Sequence, residues 1–276
     1  FSGTVKVNDE IYLSTGQKVR IKAIHAQNTS SEQGIAGQRL ALNLNADLDR
    51  TPMKRGDWLL QNEPLPPTDR ISVQILAEVP LNESQPVHIY HGASRTTGKL
   101  TLLQGKNAAK NDRTLAEIIL DSPLFLAFGD KLILRSGDAK SLIAGARVLE
   151  IDSPKRHKRT EGRLSFLANL ALAENAAQRI AFILQHNAIS AHKLMWIEQL
   201  TNKQLDDAIN ERSAVRYQDW CFNTDYKKEK IQLILTALNT YHEQHNDQLG
   251  VSKARLYRMA ALNQPENLIN HFIDEM

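Results

Sequence analysis

The spacing of apolar residues changes near residue 152, and this change most limits what the chain can fold into. Before it, apolar and polar residues alternate in short segments, which is the pattern of half-buried β-strands. After residue 163, apolar residues recur every three or four positions, which is the pattern of amphipathic helices. The 276 residues therefore divide into an all-β part and a mainly helical part, with enough length for several domains.

The all-β part is interrupted by a proline-rich stretch, Pro64-Leu-Pro-Pro67. Because proline is disfavoured inside strands, this stretch predicts a boundary between two β domains. Many short strands separated by turn residues indicate closed antiparallel barrels, since closure removes exposed strand edges. We expect one barrel over 1–65 and a second over 68–152. Residues 105–112 (GKNAAKND) are expected to form a polar surface loop.

The helical part follows a basic linker, 153–163, and its order of elements is typical of winged-helix domains. Three helical patterns precede a short hairpin at Gln218-Asp219, with Ser190 and Thr201 as N-caps of the second and third helices. Three helices followed by a hairpin predict a winged helix over 164–223.

The same order begins again over 225–276. We expect Asp225 to open a long helix, Ser252 to cap a second, and Pro265 to lie in the first turn of a third. Because no hairpin pattern follows before Met276, this second winged helix is expected to be incomplete. The chain starts within a strand pattern and stops within a helical one, so we expect it to be part of a longer protein.

Motifs for independent catalysis are weak. The sequence contains no phosphate-binding G-x-x-x-x-G-K-[ST] loop. His88 and His91 are three apart in a strand pattern and are expected to face opposite sides, so they cannot share a metal ion. His242 and His245 share a helix face but lack a third ligand, and we expect them at the surface. Cys221 is expected to pack inside the wing.

Composition limits the location of the protein. A single cysteine excludes a disulfide framework and fits a reducing compartment. No apolar run reaches the roughly 18 residues needed to span a bilayer. We therefore expect a cytoplasmic protein with no membrane partner.

Two charged segments bear on nucleic-acid binding. The net charge of +3 permits a nucleic-acid partner but does not require one. The basic run 155–159 (KRHKR) can contact a phosphate backbone or form a solvated linker. Residues 202–211 (NKQLDDAINE) occupy the position of a groove-reading helix, yet they carry three acidic residues against one lysine. We therefore expect the first winged helix to be mainly a spacer.

Residues 34–44 (GIAGQRLALNL) contain the most informative polar residue of the β part. Leu40, Leu42 and Leu44 alternate with more exposed positions, and Arg39 is predicted to be the first outward-facing residue of that strand. A single exposed arginine is most often a solubilising residue, so the pattern alone does not assign it a function.

The stretches KAIHAQN, GIAGQRLALNL and RGDWLL resemble the second domain of translational GTPases. The stretch that begins FGDKLILR and ends LIAGARVLE resembles the third domain of the elongation-factor Tu group. Two such barrels followed by tandem winged helices resemble one branch of these GTPases, the bacterial selenocysteine-specific elongation factors. The resemblance covers essentially the whole chain. It implies two antiparallel β-barrels, domains II and III, followed by α+β winged-helix repeats.

The resemblance also implies a function. Members of this branch deliver selenocysteyl-tRNA to the ribosome at UGA codons in a GTP-dependent manner. The domain that uses GTP and Mg²⁺ is expected upstream of this chain, and the winged helices that bind the selenoprotein mRNA hairpin are expected downstream. The chain alone is therefore expected to bind neither cofactor and to hydrolyse nothing. We expect the intact factor to be a monomeric GTPase.

The aminoacyl pocket is the site that the resemblance transfers to named positions, His25 and Arg39. Arg39 is expected to contact the selenolate of selenocysteine and His25 to shape the pocket wall. The second barrel is expected to contact the T-arm of the tRNA. Two other readings stay open at this point. One is a winged-helix transcription regulator with a ligand-sensing β-barrel region, and the other is a metal hydrolase built on the histidines.

Overall fold

A computed structural model gives the fold of the chain. It describes residues 3–46, 53–185, 187–211, 214–245, 248, 250–260 and 264–276. The chain forms two compact units, 1–171 and 172–276, and each unit has its own hydrophobic cores. Among the described helices, none is both long and apolar enough to cross a membrane.

The first β domain is built around one long strand. Its described strands are β1 (Thr4–Lys6), β2 (Glu10–Leu13), β3 (Lys18–Ala26), β4 (Thr29–Ser31), β5 (Gln33–Ile35), β6 (Leu40–Asn45) and β7 (Leu59–Leu60). The central strand, β3, pairs antiparallel with β2, β4 and β6, while β7 extends the sheet beyond β2 and β1 pairs with β5. The predicted strands are confirmed, because apolar side chains at every second position share the inward face. In β3 a register shift between Ile21 and Ala23 interrupts this alternation, so Ile21 and Ile24 are both buried.

The second β domain contains a closed barrel, as predicted. Its described strands are β8 (Thr68–Ala77), β9 (Leu81–Asn82), β10 (Ser84–His91), β11 (Ser94–Leu102), β12 (Asn107–Ala108), β13 (Arg113–Leu124), β14 (Lys131–Ser136) and β15 (Leu142–Ile151). Six of these close in the order β10-β11-β13-β8-β15-β14. The expectation of a loop over 105–112 is wrong in one detail, since β12 pairs with β9 and Ala108 is buried.

The basic linker and the helix that follows it, α1 (Glu161–Leu172), are held against the second barrel. Lys158 forms an ion pair with the buried Glu117 of β13, and Arg163 of α1 forms one with Glu150 of β15. The solvated reading of the run 155–159 is therefore wrong for Lys158, because a buried carboxylate such as Glu117 needs a cationic partner. The predicted domain limits, including the linker 153–163, stay predictions.

The first winged helix has the predicted order of elements. It consists of α2 (Ala176–Leu184), β16 (Ile189–Ser190), α3 (Ala191–Glu198), α4 (Asn202–Asn210), β17 (Ala214–Tyr217) and β18 (Trp220–Asn223). The predicted N-caps are confirmed, since the Ser190 and Thr201 side chains accept backbone hydrogen bonds from Lys193 and Gln204. The three strands form one sheet in the order β16-β18-β17.

The second winged helix contributes α5 (Thr224–Gln244), α6 (Lys253–Met259) and α7 (Glu266–Asp274). Ser252 caps α6 as predicted. Helix α5 begins one residue earlier than Asp225, because Asn223 is its N-cap and accepts a hydrogen bond from the Tyr226 backbone. Pro265 lies at the N-cap position of α7 rather than inside its first turn.

Candidate functional site: an exposed cationic end of the first barrel

The first predicted site residue, His25, lies near the end of β3 on its outward face. Its chain neighbours Ile24 and Ala26 are buried, so strand alternation turns the imidazole toward solvent. Across the sheet, His25 is opposite Ser30 of β4 and Ala41 of β6. The small side chain of Ala41 leaves the outward face beside the imidazole open.

The second predicted site residue, Arg39, follows a tight turn over residues 35–38. Gly37 has a φ of 89°, a left-handed conformation that glycine adopts without strain. The backbone N–H of Gln38 donates to the Ile35 carbonyl at 3.2 Å. In return, the Ile35 N–H donates to the Oε1 atom of Gln38 at 2.9 Å. These reciprocal hydrogen bonds fix the backbone immediately before Arg39.

Leu40 fixes the backbone on the other side of Arg39. Its side chain packs over Gly34, where a Cβ atom would lie only 2.2 Å from a Leu40 methyl carbon. Strand β6 begins at Leu40, so Arg39 is the last residue before the strand and not its first outward-facing residue. The side chain of Arg39 is exposed, as predicted.

The structure brings His25 and Arg39 to the same end of the β3–β6 ladder. Ala26 pairs with Leu40, so Arg39 lies one residue beyond the last ladder pair. Neither side chain makes a hydrogen bond or ion pair with another described residue, and the same is true of the exposed Lys22 on β3. Among the described residues, the guanidinium of Arg39 at this end of the ladder therefore has no anionic partner.

The other end of the sheet differs, because a carboxylate neutralises its cations. Glu10 binds Lys18 at 2.6 Å and Arg20 at 3.2 Å. The hydrogen bonds from Lys18 and then Arg20 lower the pKa of Glu10 below its ordinary value. Among the described residues, Lys18 and Arg20 at this end are thus paired with a carboxylate, whereas Arg39 at the other end is not.

Contacts between the two β domains form a feature that the sequence did not reveal. Trp58 lies with its ring 6.0 Å from that of His91 and 6.4 Å from that of Phe125. Gly56, with a φ of 101°, lets Ser94 approach so closely that a Cβ atom at residue 56 would lie 2.1 Å from the Ser94 hydroxyl. The RGDWLL segment thus closes the first domain and also contacts the second.

Comparisons with known proteins agree with this architecture. Residues 1–60 match the model of elongation factor Tu domain 2. Residues 68–155 match the β-barrel domain of the selenocysteine-specific elongation factor, and residues 235–276 match the winged helix of elongation factor SelB. A selenocysteine-specific elongation factor from Haemophilus influenzae is 90% identical over all 276 residues. The chain belongs to the selenocysteine-specific elongation factor family.

Other members of the selenocysteine-specific elongation factor family agree over the same region. The protein of that name from Escherichia coli is 37% identical over the whole chain. The chain spans 45% of the length of the Haemophilus relative and 44% of the Escherichia relative. This share agrees with the expectation of a part of a longer protein. The crystal structure of a bacterial selenocysteine-specific elongation factor covers the full chain with a TM-score of 0.69 at 20% identity. At this identity the likeness shows the fold alone. The chain spans 43% of the length of that structure.

In the first winged helix, the helix that would read a nucleic-acid groove is α4. Its acidic side chain pairs with the cation of the wing. Asp206 of α4 forms a 2.9 Å ion pair with Arg216 of the wing strand β17. Asn202 accepts further hydrogen bonds from the same guanidinium. The chief cation of the wing is thus occupied by the helix that it flanks. This contact disfavours the reading as a transcription regulator.

The remaining candidate residues have structural partners. His91 is buried and contacts Asp130, whereas the side chain of His88 faces the other side of β10, as predicted. Cys221 is fully buried in β18, as predicted, and burial raises its pKa to about 11. His245 packs 4.6 Å from the ring of Tyr241. Among the described residues, no three His, Cys, Asp or Glu side chains form a metal-binding group.

Proposed function

We propose that the intact protein is a GTP-dependent elongation factor that delivers selenocysteyl-tRNA to the ribosome at UGA codons. In this proposal the first barrel holds the aminoacyl end of the tRNA, with Arg39 contacting the amino acid and His25 forming part of the pocket wall. The observation that carries the proposal is the exposed guanidinium of Arg39, which forms no ion pair with another described residue and shares an end of the β3–β6 ladder with His25.

The chemistry of selenocysteine explains why an arginine suits this position. A selenol is far more acidic than a serine hydroxyl, so selenocysteine carries a negative charge at neutral pH and serine does not. A guanidinium remains charged and offers several donors, and its hydrogen bonds to an anion are stronger than those to a neutral group. The neutral side chain of seryl-tRNA would leave the same cation without a charged partner.

The distribution of charge supports binding of the tRNA by the barrels. Residues 1–171 contain 23 Lys and Arg against 18 Asp and Glu, whereas residues 172–276 contain 11 against 13. The excess positive charge of the chain is therefore in the β unit. Because phosphate backbones bind through cations, we propose that the second barrel contacts the T-arm of the tRNA.

Further partners belong to the intact factor. We propose that GTP and Mg²⁺ bind in a domain outside this chain, and that further winged helices outside it bind the selenoprotein mRNA hairpin. The family's action at the ribosome, as a monomer in the cytoplasm, is part of the same proposal. The name of the relatives, selenocysteine-specific elongation factor, supports it over a transcription regulator.

The test compares binding of selenocysteyl-tRNA and seryl-tRNA to the intact factor in the presence of GTP. We expect Arg39→Ala to lower the ratio of the two affinities by about ten- to hundredfold, the contribution of a hydrogen bond to a charged group. Lys22→Ala is the matched control, because it removes an exposed cation from the same sheet and should weaken both tRNAs alike. An unchanged ratio in Arg39→Ala would refute the proposal.

A further inference from the structure

Four turns of the β unit share one hydrogen-bonding arrangement. In each, an Asp N–H donates to the carbonyl three residues earlier, and the Asp carboxylate accepts from the N–H of that same residue. The carboxylate distances lie between 2.6 and 2.8 Å, and the residue before each Asp is a Gly or Asn with positive φ. The turns are Lys6–Asp9, Lys54–Asp57, Ala109–Asp112 and Ala127–Asp130.

The turn before Arg39 has the same arrangement but a different acceptor. Ile35, Gly37 and Gln38 reproduce the reciprocal bonds and the positive φ of the four Asp turns. The acceptor is the side-chain amide of Gln38, which accepts the hydrogen bond without bearing a charge. At the one turn that leads into the candidate site, the chain thus uses a neutral group where it elsewhere uses a carboxylate.

The comparison with two other turns shows what the neutral group changes. Asp112 precedes Arg113, and Asp130 precedes Lys131, so in those turns an anion directly precedes a cation along the chain. An anion at residue 38 would likewise reduce the positive potential around the guanidinium of Arg39. Since Arg39 has no ion pair among the described residues, its potential is uncompensated only while residue 38 is uncharged.

We propose that Gln38 is a specificity-determining residue of the aminoacyl site. It closes the turn that positions Arg39 and, by remaining neutral, preserves the positive potential that favours an anionic amino-acid side chain over a neutral one. This inference rests on the proposed function, since the anion in question is the selenolate of selenocysteine.

The decisive variant is Gln38→Glu in the intact factor with GTP. Its carboxylate still accepts the Ile35 hydrogen bond, as the four Asp turns of this chain do, so the turn is expected to persist. The affinity for selenocysteyl-tRNA should fall by about three- to tenfold relative to that for seryl-tRNA, the effect of one charge at side-chain distance near a protein surface. Gln38→Asp supplies a second variant with the acceptor that the other turns use.

The matched control is Gln33→Glu, which adds the same charge on the exposed part of β5 and should leave the affinity ratio unchanged. A wild-type ratio in both Gln38→Glu and Gln38→Asp, with a reduced ratio in Arg39→Ala, would overturn the inference and leave the proposed function intact. An equal reduction in Gln33→Glu would also overturn it. An unchanged ratio in Arg39→Ala would instead refute the proposed function itself.

Discussion

Glu117→Gln is expected to release the linker and α1 from the second barrel. The side chain of Glu117 is 1% exposed. It accepts from Arg70 of β8 at 2.8 Å and from Lys158 of the linker at 2.5 Å. A glutamine of the same shape has one acceptor oxygen, so its amide nitrogen must face one of the two cations. The variant therefore removes a buried negative charge and adds a misplaced donor.

The magnitude follows from the exposure of the two cations. Breaking a fully buried ion pair costs roughly 3–5 kcal/mol. Here Arg70 is 17% exposed and Lys158 is 31% exposed, so water hydrates both in part after the change. We expect the free energy of opening the linker and α1 to fall by about 2–3 kcal/mol, which speeds their amide exchange by roughly 30- to 150-fold.

Hydrogen exchange followed by mass spectrometry measures this opening directly in peptides that span residues 153–171. The control is Glu83→Gln, which breaks the 2.7 Å pair with Arg159 between two side chains that are each more than 40% exposed. Exposed pairs contribute little, so exchange should change by less than about threefold. Wild-type protection in Glu117→Gln, or equal loss of protection in Glu83→Gln, would contradict the reasoning.

Two more outcomes follow from burial. Burial raises the pKa of the Cys221 thiol from its ordinary value of 9.0 to about 11. Alkylation at pH 8 should therefore require opening of the second unit. Because the unfolded thiol loses its proton first, Cys221 should also make that unit less stable as the pH rises from about 9 to 11. Rapid alkylation of the native chain would contradict this. Gly34→Ala should destabilise the first β domain by about 1–3 kcal/mol, because its Cβ atom would overlap a Leu40 methyl group. Thermal unfolding tests this prediction, with Gly162→Ala as the control, since a Cβ atom at the exposed Gly162 would meet no other atom.

Much of the fold could be predicted because its signals are local. The inward leucines of β6, and Val19 and Ile21 of β3, follow strand alternation, which fixes one buried face without any knowledge of the partners. Ile24 does not follow it, since it is buried only because the pairing of β3 with β6 shifts register between Ile21 and Ala23. Ser190 and Thr201 are N-caps because a hydroxyl before a helical pattern satisfies free backbone N–H groups. The two-residue strand β12 carries no periodicity, so the sequence could not distinguish it from a loop.

The features that sequence missed depend on residues far apart in the chain. Glu117 and Lys158 are 41 positions apart, and nothing local to either shows that the carboxylate is buried. The approach of Ser94 to Gly56 spans 38 positions and depends on the docking of one domain on the other. The exposure of Arg39 could be predicted from its pattern, but its place one residue before β6 could not. The role proposed for Gln38 depends on a comparison with four turns elsewhere in the fold, which the sequence alone does not reveal.

Winged-helix proteins that bind nucleic acid use the wing and the third helix for that binding. In the first winged helix of this chain, these surfaces are used for packing instead. Its wing residues Tyr217, Trp220 and Phe222 join the core formed by the helices of the second winged helix, where Phe222 meets Phe272 edge to face at 5.0 Å. Its wing cation, Arg216, is paired with α4. A wing buried against the next repeat cannot also lie along a phosphate backbone. These contacts therefore support the expectation that the first winged helix is a spacer, and they supply the physical reason: each repeat covers the apolar face of the next.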